Sequence, residues 1–499
     1  MEIITVLLLS FITFFTRVVN LLNIPIFTDE AIYIRWAQIG LNDPAHRYIA
    51  LTDGKQPLLT WLMYPSLMIF KDPLFAGRFI SVLSGVFAVI GLYLLSRELF
   101  NKRVALVASI IHIISPFFLL YDRLALMDSL LSSIGIWSIY LTVLLVRRIG
   151  LDIALLLGMS IGLGVLTKTS AFFYLYLLPL SILLFDFKKK ERVKRFMKWV
   201  VLVLITTILA QVTYNSLRLS PWFYIIEQKN YTFIYTFSEF LKKPFSVFLP
   251  NLHGLWQFLS GYLSFPLMIV LLIGISWGMI KMEKKIIYLS LLFLLPFTAL
   301  AVFGKVLFPR FILFMVPPLL IIIAQTLSSF FEFVVDKKKI LIFVFPIVLL
   351  YPAYQSYFLM TSPLDAAIPE NDRNQLFDDW PSGYGVKEVI SYLAEESKKG
   401  KVVVGTEGTF GLFPASLEIY LGLNQNIEVY GFWPVFEVPK TLLEKSRQYP
   451  TYLIFKEKQI IPETWPLKLV AKYRRGKGET YLLFYQVMPN FYEMGMKNI

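Results

Sequence analysis

The chain is 499 residues long, 57% hydrophobic and 16% charged, with a mean hydropathy of +0.63, which excludes an ordinary soluble domain. Its net charge of +14 is not laid out as a nucleic-acid-binding stripe, because the basic residues form short clusters between apolar segments. With no cysteine there is neither a disulfide framework nor a thiolate metal site.

The composition is that of a polytopic membrane protein, and about eleven apolar stretches are long enough to cross a bilayer. The first, roughly Ile3 to Leu22, lacks a basic leader and a small-residue cleavage site, so it reads as a retained helix. The others run approximately Leu74 to Ser96, Val104 to Leu120, Ser129 to Val146, Ile153 to Leu166, Ala171 to Phe185, Trp199 to Leu217, Phe265 to Ile280, Ile286 to Phe303, Phe311 to Phe333 and Ile340 to Phe358. Basic clusters occupy every second connection: Arg97 with Lys102 and Arg103, Arg147 with Arg148, the run from Lys188 to Lys198, Lys281 to Lys285, and Lys337 to Lys339. The positive-inside rule puts these in the cytoplasm, with the N-terminus inside and the C-terminus outside.

In the first outer connection, Ala31 to Leu41 has apolar residues at helical spacing beside Arg35 and Gln38, which predicts a helix along the membrane surface. The outer run from Ser220 to Ser264 mixes Trp, Tyr and Phe with proline, as an interfacial segment with short helices does. Residues 1–358 are thus expected to form a membrane domain and 359–499 a small extracytoplasmic α/β domain of about 140 residues. In the latter the pattern predicts helices at Lys387 to Ser397, Leu417 to Leu423 and Lys440 to Ser446. Strands are expected at Lys401 to Gly405, Ile427 to Tyr430, Tyr452 to Phe455, Leu467 to Tyr473 and Tyr481 to Val487.

Ionisable residues gather at the outer ends of the apolar stretches. Asp29 and Glu30 are adjacent carboxylates where the chain leaves the first one, able to take a proton beside a membrane-held substrate. Their structural alternative is the first turn of a helix capped by Thr28. Lys55 precedes Gln56-Pro57 at another helix start, a weak pattern on its own. Arg78 lies a turn inside its stretch, where it either snorkels or binds, while Arg123 and Asp128 bracket a loop and Asp128 could simply open a helix. Lys168 and Arg310 stand on the side where the rule disfavours positive charge. Such cations, converging with acids, suit an anionic head group held opposite a general base. His46, His112 and His253 are isolated and there is no glycine-rich phosphate loop, so neither a histidine metal site nor direct nucleotide use is indicated.

In their order, Asp29-Glu30, Lys55-Gln56-Pro57, Gly77-Arg78-Phe79, Arg123 with Asp128, Leu166-Thr167-Lys168 and Pro309-Arg310-Phe311 resemble the motifs of the GT-C superfamily of polyprenyl-phosphate-sugar glycosyltransferases. More narrowly, they are similar to the protein O-mannosyltransferase and lipid A aminoarabinose transferase branch, over the part from the first helix to about Pro318. The resemblance implies that Asp29 acts at the acceptor and that Lys55 and Arg310 contact the lipid phosphate, with Arg78, Arg123 and Lys168 beside them. Glu30 and Asp128 would orient groups or hold a divalent cation. The aminoarabinose branch has an acid before the lysine and two prolines after it, whereas this chain has Gly54 and Gln56, which leaves the donor sugar open.

The implied partners are a polyprenyl-phosphate-linked sugar donor, a glycan, lipid or protein acceptor, and the bilayer. The implied reaction is attack of an acceptor hydroxyl or amine on the anomeric carbon, with Asp29 as base and inversion as the outcome. A transporter or flippase of lipid-linked sugars is the alternative. It would call for charges at the bilayer midplane and two related halves, and neither is evident.

Overall fold

The computed structural model describes residues 2–333 and 338–489. The chain divides into two compact units: Met1–Leu21, Asp43–Leu62 and Arg78–Pro369 form one, and Leu22–Asn42, Met63–Gly77 and Glu370–Ile499 the other.

The first unit is helical. In Glu2–Val18, Ile3, Leu7, Phe11 and Phe15 recur every fourth residue and are exposed, as a lipid-facing stripe is, while Leu9, Thr13 and Arg17 share the buried face. Among the described residues five helices are long and apolar enough to cross a membrane, or seven if each of two bent pairs counts as one span. The five are Glu2–Asn23, Pro73–Leu99, Met127–Arg148, Arg192–Leu219 and Lys284–Phe303.

Several expected spans are broken, and proline accounts for much of this. Val104 to Leu120 splits into Lys102–Ile114 and Pro116–Tyr121, because Pro116 lacks a donor and fits only the first turn of a new helix. Ala171 to Phe185 is largely tight 3-10 turns around a short helix, Phe172–Tyr176. The segment from Pro309 joins Pro317–Phe330 at a 60° bend. In the long connection, Ile225–Phe233, Phe237–Lys242 and Phe248–Leu263 are the expected short helices. The last of these turns through 110° into Phe265–Ile280, at Ser264, whose φ is 67°. Lys338–Thr361 is helical, but the side chains of Lys337, Lys338 and Lys339 lie outside the described residues.

The second unit is built on one five-stranded sheet: β1 (Val402–Glu407), β2 (Ile427–Phe432), β3 (Thr451–Phe455), β4 (Leu467–Arg474) and β5 (Tyr481–Val487). Their spatial order is β2-β1-β3-β5-β4, with β1 parallel to both neighbours and β5 antiparallel to β3 and β4. The central β1 and β3 are buried throughout, hence their run of apolar residues, while no residue of the edge strand β4 is buried. Val403, Leu453, Phe455 and Leu483 pack with Leu442 of the helix Lys440–Lys445. Val386–Ser397, within a residue of its expected bounds, and Leu412–Leu421, which begins five residues before the expected Leu417, complete the fold.

The helix expected along the membrane surface is Thr28–Asn42, and its surroundings are protein. It packs on Leu412–Leu421, with Arg35 Nε 2.8 Å from Glu418 Oε2 and Gln38 Nε2 donating to the Ile419 carbonyl at 2.9 Å.

Candidate functional site

Lys55 owes its position to the turn before it. Ile49–Asp53 closes as a 3-10 turn and ends at Gly54 in the left-handed region, φ 67°, which glycine adopts without strain. A Cβ at Gly54 would lie 2.5 Å from Lys229 Cβ, so only glycine lets this turn approach the helix Ile225–Phe233. Asp53 seals that approach by accepting from Lys229 Nζ at 2.6 Å. The Lys55 ammonium consequently rests 5.3 Å from the centre of the Phe233 ring.

Phe233 belongs to an aromatic cluster. Its ring is 5.9 Å from that of Phe311, which is 5.5 Å from that of Phe308. Lys168 Nζ sits 4.8 Å from the Phe311 ring and the Arg310 guanidinium 4.9 Å from the Phe308 ring. Three of the sequence-predicted cations, Lys55, Lys168 and Arg310, therefore stand on one set of ring faces, whose quadrupoles attract positive charge. Two polar contacts fix the set. Gln56, 2% exposed, donates to Thr169 Oγ1 at 2.7 Å, tying the Lys55 turn to the residue after Lys168. Asp128, in the first turn of Met127–Arg148, accepts from Lys168 Nζ at 2.6 Å. From the other side, the Lys305 backbone N–H donates to the Phe233 carbonyl at 2.8 Å. The Lys305 ammonium, 2.9 Å from Glu239, holds that carboxyl at about 2.

Arg78 and Arg123 are fully buried and do different work. Arg123 Nη1 donates to the carbonyls of Thr16, Arg17 and Val19, and Nη2 to that of Asn20, while Arg78 Nη1 donates to Leu21 at 2.8 Å. Those carbonyls end the first helix and have no partner in it, so the guanidinium groups cap its negative pole. Arg17 serves another helix end, donating to the carbonyls of His112 and Ile113 in the last turn of Lys102–Ile114, with its Nε 3.1 Å from Asp122 Oδ2; Asp122 also accepts from Ser129. A lone arginine in the last turn of an apolar helix was the available signal for Arg17. The Asp53–Lys229 pair, joining residues far apart in sequence, had none.

Asp29 and Glu30 lie in the second unit, in the first turn of Thr28–Asn42. Glu30 is buried and its carboxylate accepts from the Phe27 backbone N–H at 2.9 Å, half of a capping box in which Phe27, and not the expected Thr28, stands at the cap position. Asp29 is half-buried. The stretch is pinned to the turn Pro381–Gly383: Thr28 N–H and Oγ1 both donate to the Pro381 carbonyl, at 3.1 and 2.9 Å, and Gly383 N–H donates to Ile26 at 2.8 Å. Among the described residues no three His, Cys, Asp or Glu side chains gather as a metal ion would require.

A fold of this kind has solved relatives. ArnT from Cupriavidus metallidurans in the apo state superposes with a TM-score of 0.57 at 13% identity, covering 98% of each chain. The same protein bound to undecaprenyl phosphate gives 0.56 at 13%, again over 98% of each. The Archaeoglobus fulgidus oligosaccharyltransferase AglB, in complex with an inhibitory peptide and a dolichol-phosphate, gives 0.55 at 14%, over 91% of this chain and 69% of that one. At such identities the likeness speaks for the fold alone. The sequence narrows this: residues 54–214, which contain Lys55, Arg78, Arg123, Asp128 and Lys168, match the family model of dolichyl-phosphate-mannose-protein mannosyltransferases. No curated protein sequence matches the chain significantly.

Proposed function

We propose that the protein transfers a sugar from a polyprenyl (dolichyl or undecaprenyl) phosphate to an acceptor hydroxyl or amine on the extracytoplasmic face of the membrane. The observation that carries this is the gathering of Lys55, Lys168 and Arg310 around Phe233, Phe311 and Phe308. Negative charge grows on the departing phosphate as the glycosidic bond breaks, and cations fixed on apolar rings need not reorganise to meet it. Lys55 and Arg310 hold the phosphate. Lys168 is aligned for the same charge by Asp128, which makes Asp128 a positioning residue. Arg78 and Arg123 act one step further off, by fixing the end of the first helix, and Glu30 does so by capping the helix that carries Asp29. Asp29 removes the proton of the acceptor as it attacks the anomeric carbon with inversion. No step of this reading runs through a divalent ion.

The test is turnover with a panel of polyprenyl phosphate sugars, following released polyprenyl phosphate and labelled product. Asp29→Asn is expected to lower turnover about a hundredfold or more, as loss of a general base does. Undiminished turnover in that variant removes Asp29 from the role. For orientation, a reporter that works only beyond the cytoplasmic membrane, fused after Ile499, is expected to be active. An inactive fusion reverses the topology.

A further inference from the structure

The carboxyl ends of the parallel strands in the second unit carry aromatic rings in an unusual state: held from behind and open in front. Phe410, in the loop after β1, is 51% exposed, yet its ring lies 6.1 Å from that of the buried Trp36. Trp433, just after β2, is 56% exposed, and Lys456 Nζ stands 5.7 Å from its ring centre. Lys456 is only 6% exposed, and its ammonium is 4.3 Å from the Trp380 ring and 2.9 Å from Glu457. The base beneath is rigid. Buried Glu407, the last residue of β1, accepts from the backbone N–H groups of Lys456, Glu457 and Lys458, fixing the turn after β3. The two aromatic loops also touch: Gly408 N–H donates to the Phe432 carbonyl at 2.7 Å, and a Cβ on Gly431 would lie 2.9 Å from the Thr409 Cα.

We propose that this platform, with Phe410 and Trp433 as its two ring faces, binds a sugar ring of the acceptor. Three observations select that occupant. The site lies at the carboxyl ends of β1 and β2, with Lys456 added from the end of β3, beside the point between β1 and β3 where the strand order reverses and open α/β sheets take small polar ligands. Aromatic faces fixed in advance suit the apolar face of a pyranose and lose little entropy in binding it. Being at strand ends, the platform offers no free ladder edge for an extended peptide to pair with. The acceptor, and not the donor, belongs here because a Cβ on Gly411, the residue after Phe410, would lie 3.5 Å from Thr28 Cγ2, one residue from Asp29. This assignment to the acceptor rests on the proposed role of Asp29; sugar binding itself does not.

The experiment is saturation-transfer NMR on the full-length protein in detergent, without donor, using methyl α-mannoside, mannobiose, lactose and a Ser/Thr-rich decapeptide as probes. At least one of the sugars is expected to bind. Trp433→Ala and Phe410→Ala should each weaken that binding about tenfold, while Trp433→Tyr keeps it within about threefold and the thermal unfolding of all three stays that of the parent. Sugar binding unchanged in both alanine variants, binding of no sugar, or binding of the peptide alone overturns the proposal. Because no transfer is measured, a failure here is distinguishable from a failure of Asp29→Asn to lose turnover.

Discussion

Lys168 shows how much a single side chain depends on its partner. Its ammonium ends a helix, lies over an aromatic ring and is 2.6 Å from Asp128, whose side chain is 6% exposed. Removing either partner leaves the other charge poorly solvated, so the two changes should not add. Lys168→Met and Asp128→Asn are each expected to destabilise the protein, with a coupling of about 1–3 kcal/mol in a double-mutant cycle of thermal unfolding. A coupling near zero would mean that the pair does not persist in the membrane. Arg78 and Arg123 teach the complementary lesson. Their place in sequence agreed with a phosphate-binding role, but sequence cannot reveal that a guanidinium is already occupied by the carbonyls of a helix end, here residues 16 to 21.

The turn Ile49–Asp53 with Gly54 is the element that aims Lys55. Gly54→Ala forces a side chain into the left-handed region and against Lys229, and is expected to cost about 1–3 kcal/mol of stability. Since the turn must also back away from Ile225–Phe233, the proposed function has Michaelis constants for a polyprenyl phosphate sugar rise in this variant. A variant that unfolds at the parental temperature with unchanged kinetics would show the glycine to be dispensable. Elements were legible where one physical signal dominated. All five strands were found within two residues at either end, because β-branched runs such as Val402-Val403-Val404 have no competing helical period. Apolar length alone misled where proline intervened, as at Pro116, since hydropathy does not register a missing donor. Thr28–Asn42 was found as a helix, but its burial against Leu412–Leu421 came from a partner whose contacts lie 381 and 383 positions away in sequence.

At the scale of the molecule, the sheet-bearing unit has a carboxylate whose charge is held by its neighbours. Glu428 on β2 accepts from Lys401, and also from Lys445 at 3.2 Å and the Tyr430 hydroxyl at 3.0 Å. The Lys401 ammonium, aided by the other two, brings its carboxyl from 4.5 down to about 2. Because the folded value lies below the unfolded one, the stabilisation is complete above pH 4.5 and is lost as pH falls towards about 2. Unfolding temperatures of the full-length protein should therefore fall over that window, and Glu428→Gln should flatten the decline. An identical decline in the variant would assign the acid sensitivity to other groups. One further consequence follows from the hydrogen bond between Thr28 and Pro381, which spans 353 positions. Translation delivers the acidic stretch 353 positions before the turn that anchors it. A polypeptide interrupted between the two therefore carries Asp29 on a segment that lacks the Pro381 carbonyl to hold it.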